Sequence, residues 1–119
     1  MVLLHGYGLD RTMWAPQLAA LEGWTVLNLD IRGHGDSRPC ADFSIPQAAE
    51  DLRAVLVKER CRAPVLVGLS MGGYVVQEYA WQFGGCAGYL VAGATPILLD
   101  CYSGWERAGL RASAPLLGV

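Results

Sequence analysis

The sequence predicts an α/β protein with one parallel sheet and helices on both faces of that sheet. Four short apolar runs alternate along the chain with stretches in which apolar residues recur at helical spacing. Each connection between two runs is long enough for the right-handed crossover that neighbouring parallel strands require. With 119 residues, 53% of them apolar, the chain can form a domain around a single core.

The first half of the chain contains two predicted strands and one predicted helix. The first strand covers residues 1–4 and ends at a glycine turn. We expect a helix over residues 13–22, with Thr12 as its N-cap and Gly23 at its end. The second strand is predicted over residues 24–29. The apolar face of the helix has the spacing i, i+4 and i+7 and consists of Trp14, Leu18 and Leu21.

The second half repeats this alternation. Ser44 and Gln47 form a capping box that begins the second helix, with Pro46 near its first position. A third strand over residues 63–67 precedes a helix over 74–83, and the fourth strand covers residues 88–92. The second helix is predicted to bury Ala48, Leu52, Val55 and Leu56 and to expose Glu50, Asp51, Lys58 and Glu59.

Gly84 and Gly85 end the third helix, before the fourth strand. After the fourth strand, the sequence departs from the alternating pattern. Residues 1–97 are assigned to the α/β core, and residues 98–119 to the start of a cap or lid that includes a loosely amphipathic segment over 102–117.

Charge and cysteine usage limit the classes of partner. The net charge is −2 and no basic run is present, so we expect no nucleic acid partner. The apolar runs are too short to span a bilayer. The four cysteines are scattered without a C-x-x-C motif, which argues against a zinc site and favours free thiols in a cytoplasmic protein.

Cofactor motifs are incomplete. Glycine turns at Gly6 and Gly33 follow predicted strands, as in a dinucleotide fingerprint. Arg11 and Arg38 stand where that motif needs its third glycine, and no P-loop motif occurs. We therefore expect no cofactor and no metal, and a small molecule as the partner.

One serine lies where the third strand turns abruptly into the third helix. Ser70 stands in Gly68-Leu69-Ser70-Met71-Gly72-Gly73, and G-x-S-x-G at a strand-to-helix turn is the pattern of a nucleophile elbow. Gly68 and Gly72 flank Ser70 because a Cβ at either position would meet the neighbouring strand or helix. The alternative is an ordinary loop that happens to have a glycine on each side of a serine.

A serine nucleophile needs donors for the oxyanion that forms on its substrate. One candidate is the N–H of Met71, which follows the serine at the N-terminus of a helix. The other is the N–H of Tyr7, because Gly6 and Gly8 on either side let the backbone turn toward the site. Together with His5, these glycines form the supporting loop.

Three motifs in this order resemble the α/β-hydrolase superfamily. They are His5-Gly6-Tyr7-Gly8, the segment from Asp30 to Ser37, and the sequence around Ser70. The resemblance covers residues 2–97 and is strongest to the soluble bacterial esterases, lactonases, haloperoxidase-type enzymes and C–C hydrolases. It implies a partial hydrolase fold of about four central strands, in an internal fragment that lacks the first strands and the C-terminal part with the triad acid and base.

The sequence has no residue in the position that the family uses for its general base. In this family the order is Ser, acid, His, but no histidine follows Ser70. His5 and His34 are candidates, although both are better explained as loop residues whose ring nitrogens bond nearby backbone. Asp100 is a candidate acid, with a surface carboxylate as the alternative. We therefore expect these 119 residues alone to lack turnover from a triad.

The resemblance implies a serine hydrolase acting on a small ester, lactone or related acyl compound, with Ser70 as nucleophile. An aspartate at this position would have indicated a dehalogenase or an epoxide hydrolase. The alternative is a binding or receptor-type protein that keeps the fold without catalysis, because fold membership does not determine function.

Overall fold

The computed structural model describes residues 1–95 of the chain. The proposed cap, 98–119, with the helical segment 102–117 and Asp100, lies outside the described residues. Within the described part, the strands are β1 (Val2–Leu4), β2 (Leu27–Leu29), β3 (Val65–Leu69) and β4 (Gly88–Ala92), and the helices are α1 (Ala15–Leu18), α2 (Ile45–Lys58) and α3 (Met71–Gln82).

The four strands form one parallel sheet in the order β2-β1-β3-β4. Leu3 is paired with Asn28 on one side and with Val67 on the other. The chain therefore moves outward from β1 to β2 and then crosses back to β3. Right-handed crossovers in opposite directions place their connections on opposite faces of a sheet.

The hydrophobic core therefore consists of two clusters, one on each face of the sheet. Val2 and Leu4 point to the face that packs against α2 and α3, whereas Leu3 points to the opposite face, where it contacts Trp14 and Val67. This alternation follows from the two-residue period of a strand. Every residue of β1 is buried, so the predicted parallel sheet with helices on both faces is confirmed.

The first helical segment differs from its prediction. A 3-10 turn over Arg11–Trp14, the short α1 and a second 3-10 turn over Ala19–Leu21 replace the single helix. Thr12 is not the N-cap, because the carboxylate of Asp10 accepts the Thr12 N–H and begins the turn earlier. Pro16 also lacks the N–H that a continuous helix uses. Leu18 is exposed, so only part of the predicted apolar face is buried.

Several strands and helices also begin or end at residues other than the predicted ones. The second strand is shorter than predicted, and Trp24 at its expected start is 58% exposed. The third strand begins later because Ala63 has a positive φ of 49°, which does not fit an extended strand. The third helix begins at Met71, directly after Ser70. The fourth strand has its predicted ends.

The second helix follows its prediction at the start and on most of its buried face. The Ser44 hydroxyl accepts the N–H of Gln47 at 3.2 Å, as a capping box requires. Val55 is only half-buried, and Asp51 is partly covered by an ion pair with Arg32. The remaining residues of the predicted apolar face are buried: Ala48, Leu52 and Leu56. In residues 1–95, no helix combines the length and the apolar character needed to cross a bilayer.

Candidate active site

The candidate residues lie at the carboxyl edge of the two central strands. The connection after β1 leads toward β2, and the connection after β3 leads toward β4, on the other side of the sheet. Where neighbouring parallel strands send their connections in opposite directions, a crevice opens above their carboxyl ends. Residues 5–8 follow β1 and Ser70 follows β3, so the two predicted motifs meet at this crevice.

Ser70 has an unusual backbone conformation. Its φ is 49° and its ψ is −111°, a region that non-glycine residues rarely adopt. Its N–H donates to the carbonyl of Ala92 at 2.7 Å, and its own carbonyl accepts from Tyr74 at 3.2 Å. These bonds fix the backbone on both sides while the residue itself is exposed. A strained turn thus holds the exposed Ser70 at the carboxyl end of β3.

The glycines beside Ser70 allow the strand and the helix to approach each other closely. A Cβ on Gly68 would lie 2.2 Å from the Gly72 carbonyl oxygen, and a Cβ on Gly72 would lie 2.3 Å from that of Leu4. Real Cβ atoms do not make such contacts, and both obstacles are backbone atoms. Any side chain at either position would therefore force the elbow apart.

The loop after β1 runs alongside the elbow. A Cβ built on Gly6 would lie 3.8 Å from the Cβ of Ser70, and the Gly72 N–H donates to the His5 carbonyl at 3.1 Å. Gly8 has a positive φ of 73°, which glycine adopts without strain. Within residues 1–95, the N–H groups of Tyr7 and Met71 donate to no backbone or side-chain acceptor. Among residues 1–95, neither N–H is therefore used by the fold itself.

His5 is buried and uses both ring nitrogens. Its Nδ1 lies 2.8 Å from the Gly6 carbonyl oxygen, and its Nε2 accepts the Ile31 N–H at 3.0 Å. Burial lowers the pKa of His5, which favours the neutral ring. With both nitrogens occupied by backbone groups, His5 is not placed to take a proton from Ser70.

His34 is half-buried among aromatic rings. Its Nδ1 lies 3.0 Å from the Arg32 carbonyl oxygen. Its ring centre lies 5.1 Å from that of His5, 5.7 Å from that of Tyr7 and 6.0 Å from that of Phe43. In the described part of the chain, neither histidine is hydrogen-bonded to Ser70.

Sequence reasoning missed Asp30 as the centre of a polar network. Its side chain is 3% exposed, forms an ion pair with Arg11, and accepts the N–H groups of Arg11 at 2.7 Å and Asp36 at 2.9 Å. Burial alone would raise the pKa of Asp30, but these two hydrogen bonds and the Arg11 charge outweigh it and lower the pKa. A Cβ on Gly35 would collide with this carboxylate at 2.3 Å.

This network belongs to the scaffold around the site. Asp30 follows the end of β2, and a carboxylate at that point of the sequence was the available signal for it. Arg32 forms a bidentate pair with Asp51 of α2, at 2.5 and 2.7 Å. Together these bonds hold the loop that presents the Ile31 N–H to His5.

A groove of about 660 Å³ runs between β2 and α2, lined by side chains such as Leu29 and Leu52, and Ser70, Tyr7 and Met71 are not among its lining residues. In residues 1–95, no group of three or more His, Cys, Asp or Glu side chains is arranged to hold a metal ion. Among the described residues, the crevice therefore contains an exposed serine at a strained position.

Known proteins similar to this chain were found at the levels of family, sequence and structure. A family model described as "Alpha/beta hydrolase family" matches residues 1–118. A 2-succinyl-6-hydroxy-2,4-cyclohexadiene-1-carboxylate synthase from Enterobacter is 35% identical over 101 residues, which are 84% of this chain and 39% of that protein. A solved thermophilic esterase from Thermogutta terrifontis is 30% identical, with a TM-score of 0.75, over 98% of this chain and 43% of that chain.

A second solved structure, the N-acyl homoserine lactonase AidH in complex with N-butanoyl homoserine, is 26% identical. Its TM-score is 0.75, over 83% of this chain and 38% of that chain. This chain spans less than half of several curated relatives, for example 25% of one and 43% of another.

Proposed function

Since this chain belongs to the alpha/beta hydrolase family, we propose that Ser70 is the nucleophile of a serine hydrolase acting on a small ester, lactone or related acyl compound. The predicted family and the predicted partial hydrolase fold are confirmed. The observation that carries the proposal is the backbone of Ser70, with φ 49° and ψ −111°, directly before α3. Strain of this kind persists where the surrounding structure imposes it, and it clusters at functional sites.

In the proposed reaction, the Ser70 Oγ attacks the substrate carbonyl carbon while its proton passes to a general base. The carbonyl oxygen becomes an oxyanion, which accepts hydrogen bonds from the N–H groups of Met71 and Tyr7. The positive end of α3 adds to this stabilisation. The tetrahedral intermediate then expels the alcohol, which takes the proton from the base. Water releases the acid from the acyl-serine by the reverse sequence.

We propose that neither histidine of this chain is the general base and that the acid follows Ser70, with Asp100 as the candidate within this sequence. Both histidines of the chain precede Ser70, whereas the fold's chain order is Ser, acid, His. The ring of His5 is occupied on both sides by backbone groups. A cap beginning at residue 98 remains part of this proposal, and it would supply walls that the open crevice lacks.

The substrate class rests on the similar proteins. One solved neighbour is an esterase and another is a lactonase, and both names denote transfer of an acyl group to water. A serine at position 70 fits that chemistry, because its hydroxyl forms the acyl intermediate.

Because fold membership does not determine function, the second candidate is a ligand-binding protein that keeps the fold without catalysis. In that case the crevice would hold an acyl compound without cleaving it. A complete triad in the gene product would support the hydrolase, and its loss would support the binding protein.

Hydrolysis of p-nitrophenyl acetate and butyrate tests the proposal. The assay compares the complete product of the gene with the purified 119-residue chain, each beside its Ser70→Ala variant. We expect turnover that depends on Ser70 in a product that contains a histidine after Ser70, and none above background in the 119 residues. Equal turnover with and without the Ser70 hydroxyl would overturn the assignment of the nucleophile.

A further inference from the structure

The peptide group between Gly6 and Tyr7, in the loop after β1, is held by two hydrogen bonds. The carbonyl oxygen of Gly6 accepts two hydrogen bonds, from His5 Nδ1 at 2.8 Å and from the Leu9 N–H at 3.2 Å. The same peptide group carries the N–H of Tyr7. In a planar trans peptide, the carbonyl and the N–H point in opposite directions. Whatever fixes the direction of the Gly6 carbonyl therefore also fixes the direction of the Tyr7 N–H.

The other side of the imidazole determines which nitrogen carries the proton. The Ile31 backbone N–H can only donate, so Nε2, at 3.0 Å from it, is the acceptor. In the neutral ring the proton is then on Nδ1, where it is donated to the Gly6 carbonyl. The ring is completely buried, and burial lowers its pKa, which favours this neutral form.

We propose that His5 is a positioning residue for the oxyanion hole: its Nδ1–H holds the Gly6–Tyr7 peptide so that the Tyr7 N–H points into the crevice, and the Ile31 N–H selects the tautomer that does so. The inference rests on the proposed function for its catalytic consequence, although the hydrogen-bond arrangement itself does not. It links the loop after β2 to the orientation of a donor on the loop after β1.

His5 is well placed for such a role because it connects three segments. Its carbonyl accepts the Gly72 N–H of the elbow helix at 3.1 Å, and its ring bonds to Gly6 and Ile31. The Ile31 N–H is presented by the loop that Asp30 and Arg11 hold in place. The donor, the nucleophile turn and the loop after β2 therefore share one residue.

Two substitutions separate positioning from simple stabilisation. In His5→Asn, the side-chain amide can occupy the place of Nδ1 and donate to Gly6, but the acceptor for Ile31 is lost. In His5→Gln, the amide oxygen can occupy the place of Nε2 and accept from Ile31, but the donor to Gly6 is lost. Each variant loses one hydrogen bond of a buried side chain, so the two are expected to be destabilised to a similar extent.

The first measurement is structural and needs no activity. Nitrogen-15 NMR of the His5 ring should show the Nδ1–H tautomer in the wild-type protein. The residual dipolar coupling of the Tyr7 N–H, which reports the direction of that bond, should be retained in His5→Asn and changed in His5→Gln. An Nε2–H tautomer, or a coupling that is the same in all three proteins, would overturn the inference.

The second measurement is kinetic, in any form of the protein that shows hydrolysis dependent on Ser70. We expect kcat to fall by about 10²-fold in His5→Gln, the usual effect of losing one oxyanion donor, and by less than about tenfold in His5→Asn, with KM little changed in either. Equal losses of kcat in the two variants would show a merely structural role and overturn the inference. If no form hydrolyses esters, the proposed function fails, and the NMR result alone decides whether His5 holds the peptide.

Discussion

The elbow around Ser70 and the loop around Tyr7 lie side by side but are held in different ways. In the elbow, Gly68 and Gly72 leave no room even for a Cβ, because backbone atoms lie 2.2 and 2.3 Å from where it would stand. In the other loop, a Cβ on Gly8 would meet nothing within 4 Å. There the conformation depends on a positive φ and on the hydrogen bonds of His5.

This difference indicates how the two halves of the site respond to change. Backbone packing fixes the position of Ser70, the proposed nucleophile, so disturbing that packing should disturb the whole fold. Side-chain hydrogen bonds fix the direction of the Tyr7 donor, so disturbing them should change activity more than stability.

The largest effect is expected for Gly72→Ala. The new Cβ would meet the Leu4 carbonyl, which belongs to a central strand and cannot move away without breaking the sheet. We expect the free energy of unfolding to fall by about 3 kcal/mol or more, measured by chemical denaturation. The control is Gly85→Ala, with φ 72° and no atom within 4 Å, which should cost only about 1–2 kcal/mol. Similar losses in the two variants would show that the elbow is not tightly packed.

The next effect is expected for Gly8→Ala. A positive φ of 73° in open space should cost about 1–2 kcal/mol of stability. In a form with turnover dependent on Ser70, kcat should fall by up to about 10²-fold, because the loop that aims the Tyr7 N–H relaxes.

Gly23→Ala is the matched control for that prediction. Its φ is 87°, its surroundings are equally open, and it lies before β2, away from the carboxyl edge of the sheet. It should lose similar stability while kcat stays unchanged. A Gly8→Ala protein that loses stability but keeps its kcat would place the second oxyanion donor elsewhere.

Strain at Ser70 itself predicts a smaller effect. Glycine adopts φ 49° with ψ −111° more readily than residues that carry a Cβ. Ser70→Gly should therefore be more stable than Ser70→Ala by about 1 kcal/mol, as measured by thermal or chemical denaturation of both variants. If Ser70→Gly were the less stable of the two, the backbone at this position would not be strained.

The smallest effect concerns acid pH. The pKa of Asp30 is lowered in the folded protein, so its contribution to stability is present above the ordinary aspartate pKa of about 3.9 and is lost as the pH falls below that value. The stability of the wild-type protein should therefore decline more steeply below about pH 4 than that of Asp30→Asn. If the stability of the two proteins declined equally steeply, Asp30 would not be the source of the acid sensitivity.

The sequence was informative where local chemistry determines the structure. Ser44 predicted the start of α2, and a short apolar run after two glycines predicted the fourth strand with its observed ends. The site glycines could be interpreted because their spacing around Ser70 reflects a close approach of strand and helix.

Long-range contacts could not be predicted in this way. Arg11 forms ion pairs with Asp30 and Asp36, which are 19 and 25 residues away in the sequence, and nothing local indicates that the Asp30 side chain is buried. The same is true of the Ile31 N–H that meets His5 across 26 residues. Residue type alone also could not decide whether Asp10 or Thr12 is the N-cap, because both side chains are good caps.

The central claim is that Ser70 is a nucleophile activated at a strained turn, and a fluorophosphonate probe tests it most directly. The complete gene product would be treated with the probe, digested, and mapped by peptide mass spectrometry beside its Ser70→Ala variant. The account predicts one phosphonate adduct, on the peptide that contains Ser70, and its loss in the variant. An adduct that persists in Ser70→Ala, or ester hydrolysis without any adduct on Ser70, would contradict the account.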